Sequence, residues 1–189
     1  LDPHKASGPD GLSPRVLKEL ANELSPALTL IFRSSLATGQ VPEDWRTAYV
    51  APVFKKGEKY KAENYRPISL TCIACKLMEH IVVSNLMRHS ETNSILTEEQ
   101  HGFRKGRSCE TQLLGVMDEV THDLEKGKEV DVLVMDFSKA FDKVNHSMLV
   151  HQLDRYGVRG RTIGWIEAFL KDRRQAVVVD GARSDYIPV

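Results

Sequence analysis

A helix-rich, mixed α/β fold is what this sequence predicts, on three observations. Apolar residues recur at helical spacing in several stretches, each bounded by a Ser or Gly of the kind that caps helices. Two β-rich runs, 47–54 and 66–70, flank a charged loop containing Gly57, the pattern of a β-hairpin. A third run, Val132, Leu133, Val134 and Met135, has no polar side, as expected of a strand covered on both faces, and helical spacing follows from Ser138 to Leu149.

The elements follow in order. Ser13 followed by Pro14 starts a helix carrying Val16, Leu17, Leu20 and Leu24. Ser25-Pro26 is expected to restart it, the second helix running through Leu28, Ile31, Phe32 and Leu36 to Gly39, with Pro42 as a further breaker. After the hairpin comes a helix over 76–89. Ser108 is a candidate cap for a helix through Leu113, Leu114, Met117, Val120 and Leu124, ended by Gly127. The 132–135 strand is followed by helices over 146–156, ended by Gly157, and over 162–171. The closing stretch AVVVDGARSDYIPV carries an Asp180-Gly181 turn between two strands. No internal repeat, low-complexity tract or clear linker divides the chain.

A length of 189 residues with 41% hydrophobic content suits one ordinary core or two small subdomains. No apolar run approaches the length of a bilayer span and no signal-peptide pattern opens the chain, so neither a membrane nor secretion is expected. The first residue is Leu1, which suggests truncation there. Net charge is zero, yet the charges are segregated. Lys55, Lys56, Lys59, Lys61, Arg66 and Lys76 face only Glu58 and Glu63 between 51 and 76. Asp118, Glu119, Asp123, Glu125, Glu129, Asp131 and Asp136 outnumber Lys126 and Lys128 further on. Such blocks fit a protein that holds polyanions in one part and cations in another, and they also fit solvated faces.

Three cysteines, an odd number, suit a reducing intracellular setting, cytoplasm or nucleus. Cys72 and Cys75 form a C-x-x-C pair with His80 nearby, but a structural zinc needs four ligands, and Cys75 continues an apolar helical stripe with Ala74, Leu77, Met78, Ile81 and Val82. The chemistry-bearing candidate is Asp136. A carboxylate at the end of a buried strand is held rigidly while the following turn leaves it accessible, although such an Asp can also be a helix cap or turn former. In HGFRKGRS, Gly102 and Gly106 sit among Arg104, Lys105 and Arg107 just before the Ser108 cap, a combination suited to phosphate. The spacing is not that of a P-loop.

Five ordered blocks carry a resemblance: KASGPDG at 5–11, WRTAYVAPVFKKG at 45–57, NYRPISL at 64–70, QHGFRKGRSC at 100–109 and DFSKAFDKVNH at 136–146. Together they resemble the reverse transcriptase domain of non-LTR retrotransposons of the jockey and chicken-repeat type, over essentially the whole chain. The resemblance implies the fingers and incomplete palm of a right-hand polymerase, with 1–129 fingers-like and 130–189 a partial palm. It implies an RNA-directed DNA polymerase that adds deoxynucleotides to a primer 3′-hydroxyl. Its partners would be an RNA template, a DNA primer, deoxynucleoside triphosphates and the remainder of a retrotransposon polyprotein.

By the same resemblance, Asp136 is the catalytic carboxylate. It and the backbone carbonyl of Phe137 would be ligands in a site for two Mg²⁺ (or Mn²⁺) ions. Lys55, with Lys56 as an alternative by one residue, and Arg66 would grip the triphosphate, and Phe141 would lie under the incoming sugar and exclude a 2′-hydroxyl. Gly102, Arg104, Lys105, Gly106 and Arg107 would line the template and primer path. Asp142 is too far along a helix to share an ion with Asp136. Such polymerases also carry an aromatic-Ala-Asp-Asp hairpin, and these residues stop before one. The chain is therefore expected to be inactive alone. Two other readings stand beside this one. The first is a decayed or co-opted remnant that binds nucleic acid without catalysis. The second is a haloacid-dehalogenase-like phosphotransferase, disfavoured because Ser138 stands where that family needs a second Asp.

Overall fold

The computed structural model describes residues Leu1–Val189, which divide into two compact units: Leu1–Val83 with His146–Val189, and Ser84–Asn145. This division by packing falls elsewhere than the fingers-to-palm boundary expected after residue 129.

In the first unit, Ser13 accepts from the Arg15 N–H and opens α1 (Pro14–Glu19). Leu20 ends α1 and begins α2 (Ala21–Thr38). The expected restart at Ser25-Pro26 is thus displaced: Pro26 lies inside α2. Without an N–H it cannot bond the Asn22 carbonyl, while the Ser25 hydroxyl caps the Ala21 carbonyl at 2.5 Å. Gly39, in the left-handed region at φ 69°, closes α2. The hairpin forms as expected. β1 (Thr47–Phe54) pairs antiparallel with β2 (Tyr65–Leu70), from Tyr49 opposite Leu70 to Phe54 opposite Tyr65.

α3 (Ile73–Thr92) starts three residues earlier than the apolar spacing indicates. Further along, α5 (His146–Arg155) ends in a Schellman motif, in which the Gly157 and Val158 N–H groups donate to the Asp154 and Leu153 carbonyls. After α6 (Arg161–Leu170), β3 (Arg174–Val179) runs parallel to β1. It turns through Asp180 and Gly181, both at positive φ, into β4 (Ala182–Arg183), and β5 (Ile187–Pro188) also pairs with β3. The sheet order is β2-β1-β3-β4.

The core of this unit gathers Trp165, Met78, Cys72, Cys75, Ala176 and Trp45. Trp165 donates its indole N–H to the Ser35 hydroxyl at 2.9 Å, and Ser35 donates onward to the Gln40 carbonyl, so both buried polar groups are satisfied. The Cys72 and Cys75 thiols point to the Asp44 and Trp45 carbonyls, and burial pushes Cys72 up to about 11 and Cys75 higher still. Gly8, in the first motif block, has a packing role. A Cβ there would lie 2.5 Å from the Cys72 nitrogen and from the Thr71 carbonyl, so only glycine lets this segment lie against the corner between β2 and α3.

The second unit contains the end of α3 and α4 (Cys109–Glu125). A reciprocal capping box between Ser108 and Thr111 starts α4, and a Schellman motif at Gly127 and Lys128 stops it, as the Ser and Gly signals indicate. The strand expected at Val132–Met135 does not form. These side chains are 66–86% exposed, and no residue of 130–137 enters a ladder. An apolar run becomes a strand only where another strand takes up its N–H and C=O groups and other elements cover its faces, and none does so here. The helical spacing from Ser138 is also not realised. Ser138–Lys143 form turns with Lys139 at φ 53°, and helix begins only at His146. The mixed α/β class holds, while its strand–helix unit around Asp136 is an irregular segment followed by turns.

Candidate functional site

The candidate residues fall in both units, and each group is built within its own. In the first unit, β1 and β2 place a cationic hairpin tip. Lys55 continues the ladder by donating its N–H to the Asn64 carbonyl at 2.8 Å, and Arg66 stands opposite Val53. Strand alternation therefore puts Lys55 and Arg66 on one face, with Lys56 turned into the loop beyond. The loop uses its own acid internally. Glu58 accepts from Lys61 at 2.8 Å and from the Tyr60 hydroxyl at 2.7 Å, which holds its carboxyl below the ordinary glutamate value. Asn64 and Tyr65 tie the loop further by donating to the Glu58 and Lys59 carbonyls. No carboxylate pairs with Lys55, Lys56 or Arg66, and all three are exposed. A rigid hairpin with unpaired cations at its tip is suited to a polyphosphate.

In the second unit, the three cations of HGFRKGRS have different surroundings. The Arg104 side chain is only 7% exposed and donates through Nε and Nη2 to both oxygens of Glu91, at 2.9 and 2.7 Å, and through Nη1 to the Thr97 carbonyl. That pairing holds Glu91 below the ordinary glutamate value and raises Arg104. Arg107 pairs with Glu98 and donates to its carbonyl. Lys105 is exposed and has no ion pair. Gly106 adopts φ 76°, whereas Gly102 does not need positive φ. The loop is thus organised by Arg104 and Arg107 and presents Lys105 beside the N-terminus of α4.

Asp136 and Phe137 lie in the exposed irregular segment, and Phe141 is 78% exposed in the turns after it. Phe141 meets Phe103 of the basic loop edge to face, with ring centroids 6.1 Å apart at 88°. The fourth and fifth motif blocks are therefore in contact through two exposed aromatics. Phe103 had no place among the candidate residues. Its signal is its backbone, a bulky residue held at φ 60°, which spacing cannot reveal.

As a metal site the arrangement is incomplete. Asp136 and the Phe137 carbonyl offer hard oxygen donors of the right kind, but Mg²⁺ takes near-octahedral coordination, and no three His, Cys, Asp or Glu side chains are grouped to hold an ion. No helix is long and apolar enough to cross a membrane.

The first unit thus presents a two-stranded cationic hairpin, and the second a basic loop at a helix N-terminus and a solvent-facing carboxylate. The family model for reverse transcriptase (RNA-dependent DNA polymerase) matches residues 53–187, and the chain belongs to that family. The family in general requires a divalent metal. The chain is 29% identical over 185 residues to the RNA-directed DNA polymerase from mobile element jockey of Drosophila funebris, covering 97% of this chain and 20% of that protein. It is 28% identical to the probable RNA-directed DNA polymerase from transposon BS of Drosophila melanogaster, covering 95% of this chain and 20% of that one. To the retrovirus-related Pol polyprotein of the type-1 element R2 of Popillia japonica it is 27% identical, covering 76% and 20%. The chain spans about a fifth of the length of these curated relatives.

Proposed function

We propose that this chain supplies the triphosphate grip and the first catalytic carboxylate of an RNA-directed DNA polymerase, one that transfers a deoxynucleoside monophosphate to a primer 3′-hydroxyl on an RNA template. The observation that carries this reading is the hairpin. It holds Lys55 and Arg66 on one face, rigidly and without acidic partners. The planar Arg66 fork suits two phosphate oxygens at once and Lys55 acts as a point charge, so both favour the charge that builds on the leaving phosphates. Alternation favours Lys55 over Lys56 for that role.

Asp136, with the Phe137 carbonyl, would hold one edge of a site for two Mg²⁺ ions, completed by carboxylates from outside these residues. Bound metal lowers the cost of deprotonating the primer hydroxyl and neutralises the phosphates. Phe141 would lie under the incoming sugar. Residues 1–129 would act as fingers and 130–189 as part of the palm. The basic loop would hold template or primer backbone, with Lys105 reaching the phosphate, Arg104 and Arg107 fixing the loop, and Gly102 and Gly106 letting the backbone approach.

The test is steady-state primer extension by a protein carrying this segment within its full reading frame. Lys55→Gln and Arg66→Gln should each lower kcat/KM for deoxynucleotides by about 10- to 100-fold, as expected for a charge-assisted hydrogen bond worth roughly 1.5–3 kcal/mol. Lys56→Gln should change it little. Equal effects at Lys55 and Lys56, or none at Arg66, would contradict the assignment.

A further inference from the structure

Phe103 and Phe141, both in the second unit, form an aromatic pair of which the reading above uses only one ring. The rings stay largely in water, 85% and 78% exposed, yet they meet edge to face with centroids 6.1 Å apart at 88°. Burial therefore does not hold Phe141. Its backbone lies in turns, where the Lys143 N–H donates to the Lys139 carbonyl at 3.1 Å and the Val144 N–H to the Phe141 carbonyl at 3.3 Å, and it belongs to no helix or ladder. An exposed ring on such a turn has more than one staggered rotamer open to it. A ring that is to exclude a single hydroxyl needs one placement, held to within about half an ångström by its neighbours.

Phe103 has the anchorage that Phe141 lacks. Its backbone stands at φ 60°, a conformation that a bulky side chain adopts only where the surroundings impose it. The next residue imposes it. Arg104, its side chain only 7% exposed, is bonded to both oxygens of Glu91 and to the Thr97 carbonyl, and its own carbonyl accepts from the Arg107 N–H at 3.4 Å. On the other side, His101 Nδ1 lies 3.0 Å from the Glu99 carbonyl. The Phe103 ring is thus carried on a fixed loop, and what it touches is the ring of Phe141.

We propose that Phe103 is a positioning residue for sugar selection: its ring holds that of Phe141 in the orientation that excludes a 2′-hydroxyl. The inference rests on the proposed role of Phe141, and the experiment separates the two. It measures kcat/KM for a matched ribonucleotide and deoxynucleotide on an RNA template, in a protein carrying this segment within its full reading frame. Phe103→Ala removes the ring alone, since Ala has the same Cβ and bears the left-handed backbone at about the same cost. It should raise the ratio of ribonucleotide to deoxynucleotide use about 2- to 10-fold, as expected from loss of one edge-to-face contact, and by no more than Phe141→Ala does. Phe103→Tyr keeps the ring and should keep the ratio. The double variant Phe103→Ala/Phe141→Ala should show the ratio of Phe141→Ala alone, because Phe103 acts only through that ring. General damage to the loop would lower both efficiencies together and cancel from the ratio. An unchanged ratio in Phe103→Ala beside a raised one in Phe141→Ala would overturn the proposal and leave the role of Phe141 standing. Effects that multiply in the double variant, or a Phe103→Tyr ratio raised as far as that of Phe103→Ala, would overturn it as well. An unchanged ratio in Phe141→Ala would overturn both.

Discussion

Arg104, Lys105 and Arg107 are three adjacent-looking cations that the fold treats differently, and the difference was not legible in the loop itself. It depends on Glu91 and Glu98, thirteen and nine residues upstream, which no local spacing connects to them. Glu91 gives a pH prediction. Its carboxyl is held below the ordinary value by the Arg104 side-chain bonds, so its contribution to stability is fully present above the unfolded glutamate pKa of about 4.3 and is lost as pH falls through the depressed value. The midpoint of thermal unfolding should therefore fall on acidification below about pH 5, and Glu91→Gln should flatten that limb. An unaltered acid limb in the variant would show the pair to be inert. At Phe141, exposure removes the usual cost of truncating an aromatic. Phe141→Ala should destabilise by no more than about 1 kcal/mol, mostly the edge contact with Phe103. In the active polymerase it should raise the ratio of ribonucleotide to deoxynucleotide incorporation about tenfold or more. An unchanged ratio would remove Phe141 from sugar selection.

Elements whose causes are local were the readable ones. The β1–β2 hairpin follows from its alternation, α4 from Ser108 and Gly127, and the β3–β4 turn from Asp180-Gly181, because each signal and its structure lie within a few residues. The segment at 130–137 shows the opposite case. Its composition is that of a buried strand, yet a strand exists through its neighbours, and the pairing groups are not supplied by these residues. Pro26 shows a subtler limit, because a helix can absorb an interior proline when the chain on both sides is committed to helix. Its cost should be measurable. Pro26→Ala should stabilise the chain by about 2 kcal/mol, the interior-proline penalty of ~3 kcal/mol less up to ~1 kcal/mol from the freer unfolded chain. Chemical denaturation reads this directly, and a lower midpoint in the variant would mean that Pro26 is favoured where it stands.

For the whole molecule, a net charge of zero conceals the property that matters. Lys55, Lys56 and Arg66 stand without acidic partners on the first unit's hairpin, while Asp136, the carboxylate proposed for chemistry, stands in the second unit. Family membership was legible because five short blocks stand in order along the chain and carry the resemblance together, whereas no one of them would. The geometry of Asp136 was not legible, since no ladder holds its segment and no group of three metal-ligating side chains forms around it. The central claim is that Asp136 holds the metal for nucleotide transfer, and the substitution Asp136→Asn tests it, because the amide keeps the shape and removes the charge. In a protein carrying this segment within its full reading frame, primer extension on an RNA template in Mg²⁺ should fall to background, while template affinity and thermal midpoint stay near those of the unaltered protein. Extension retained at an ordinary Mg²⁺ concentration would contradict the account.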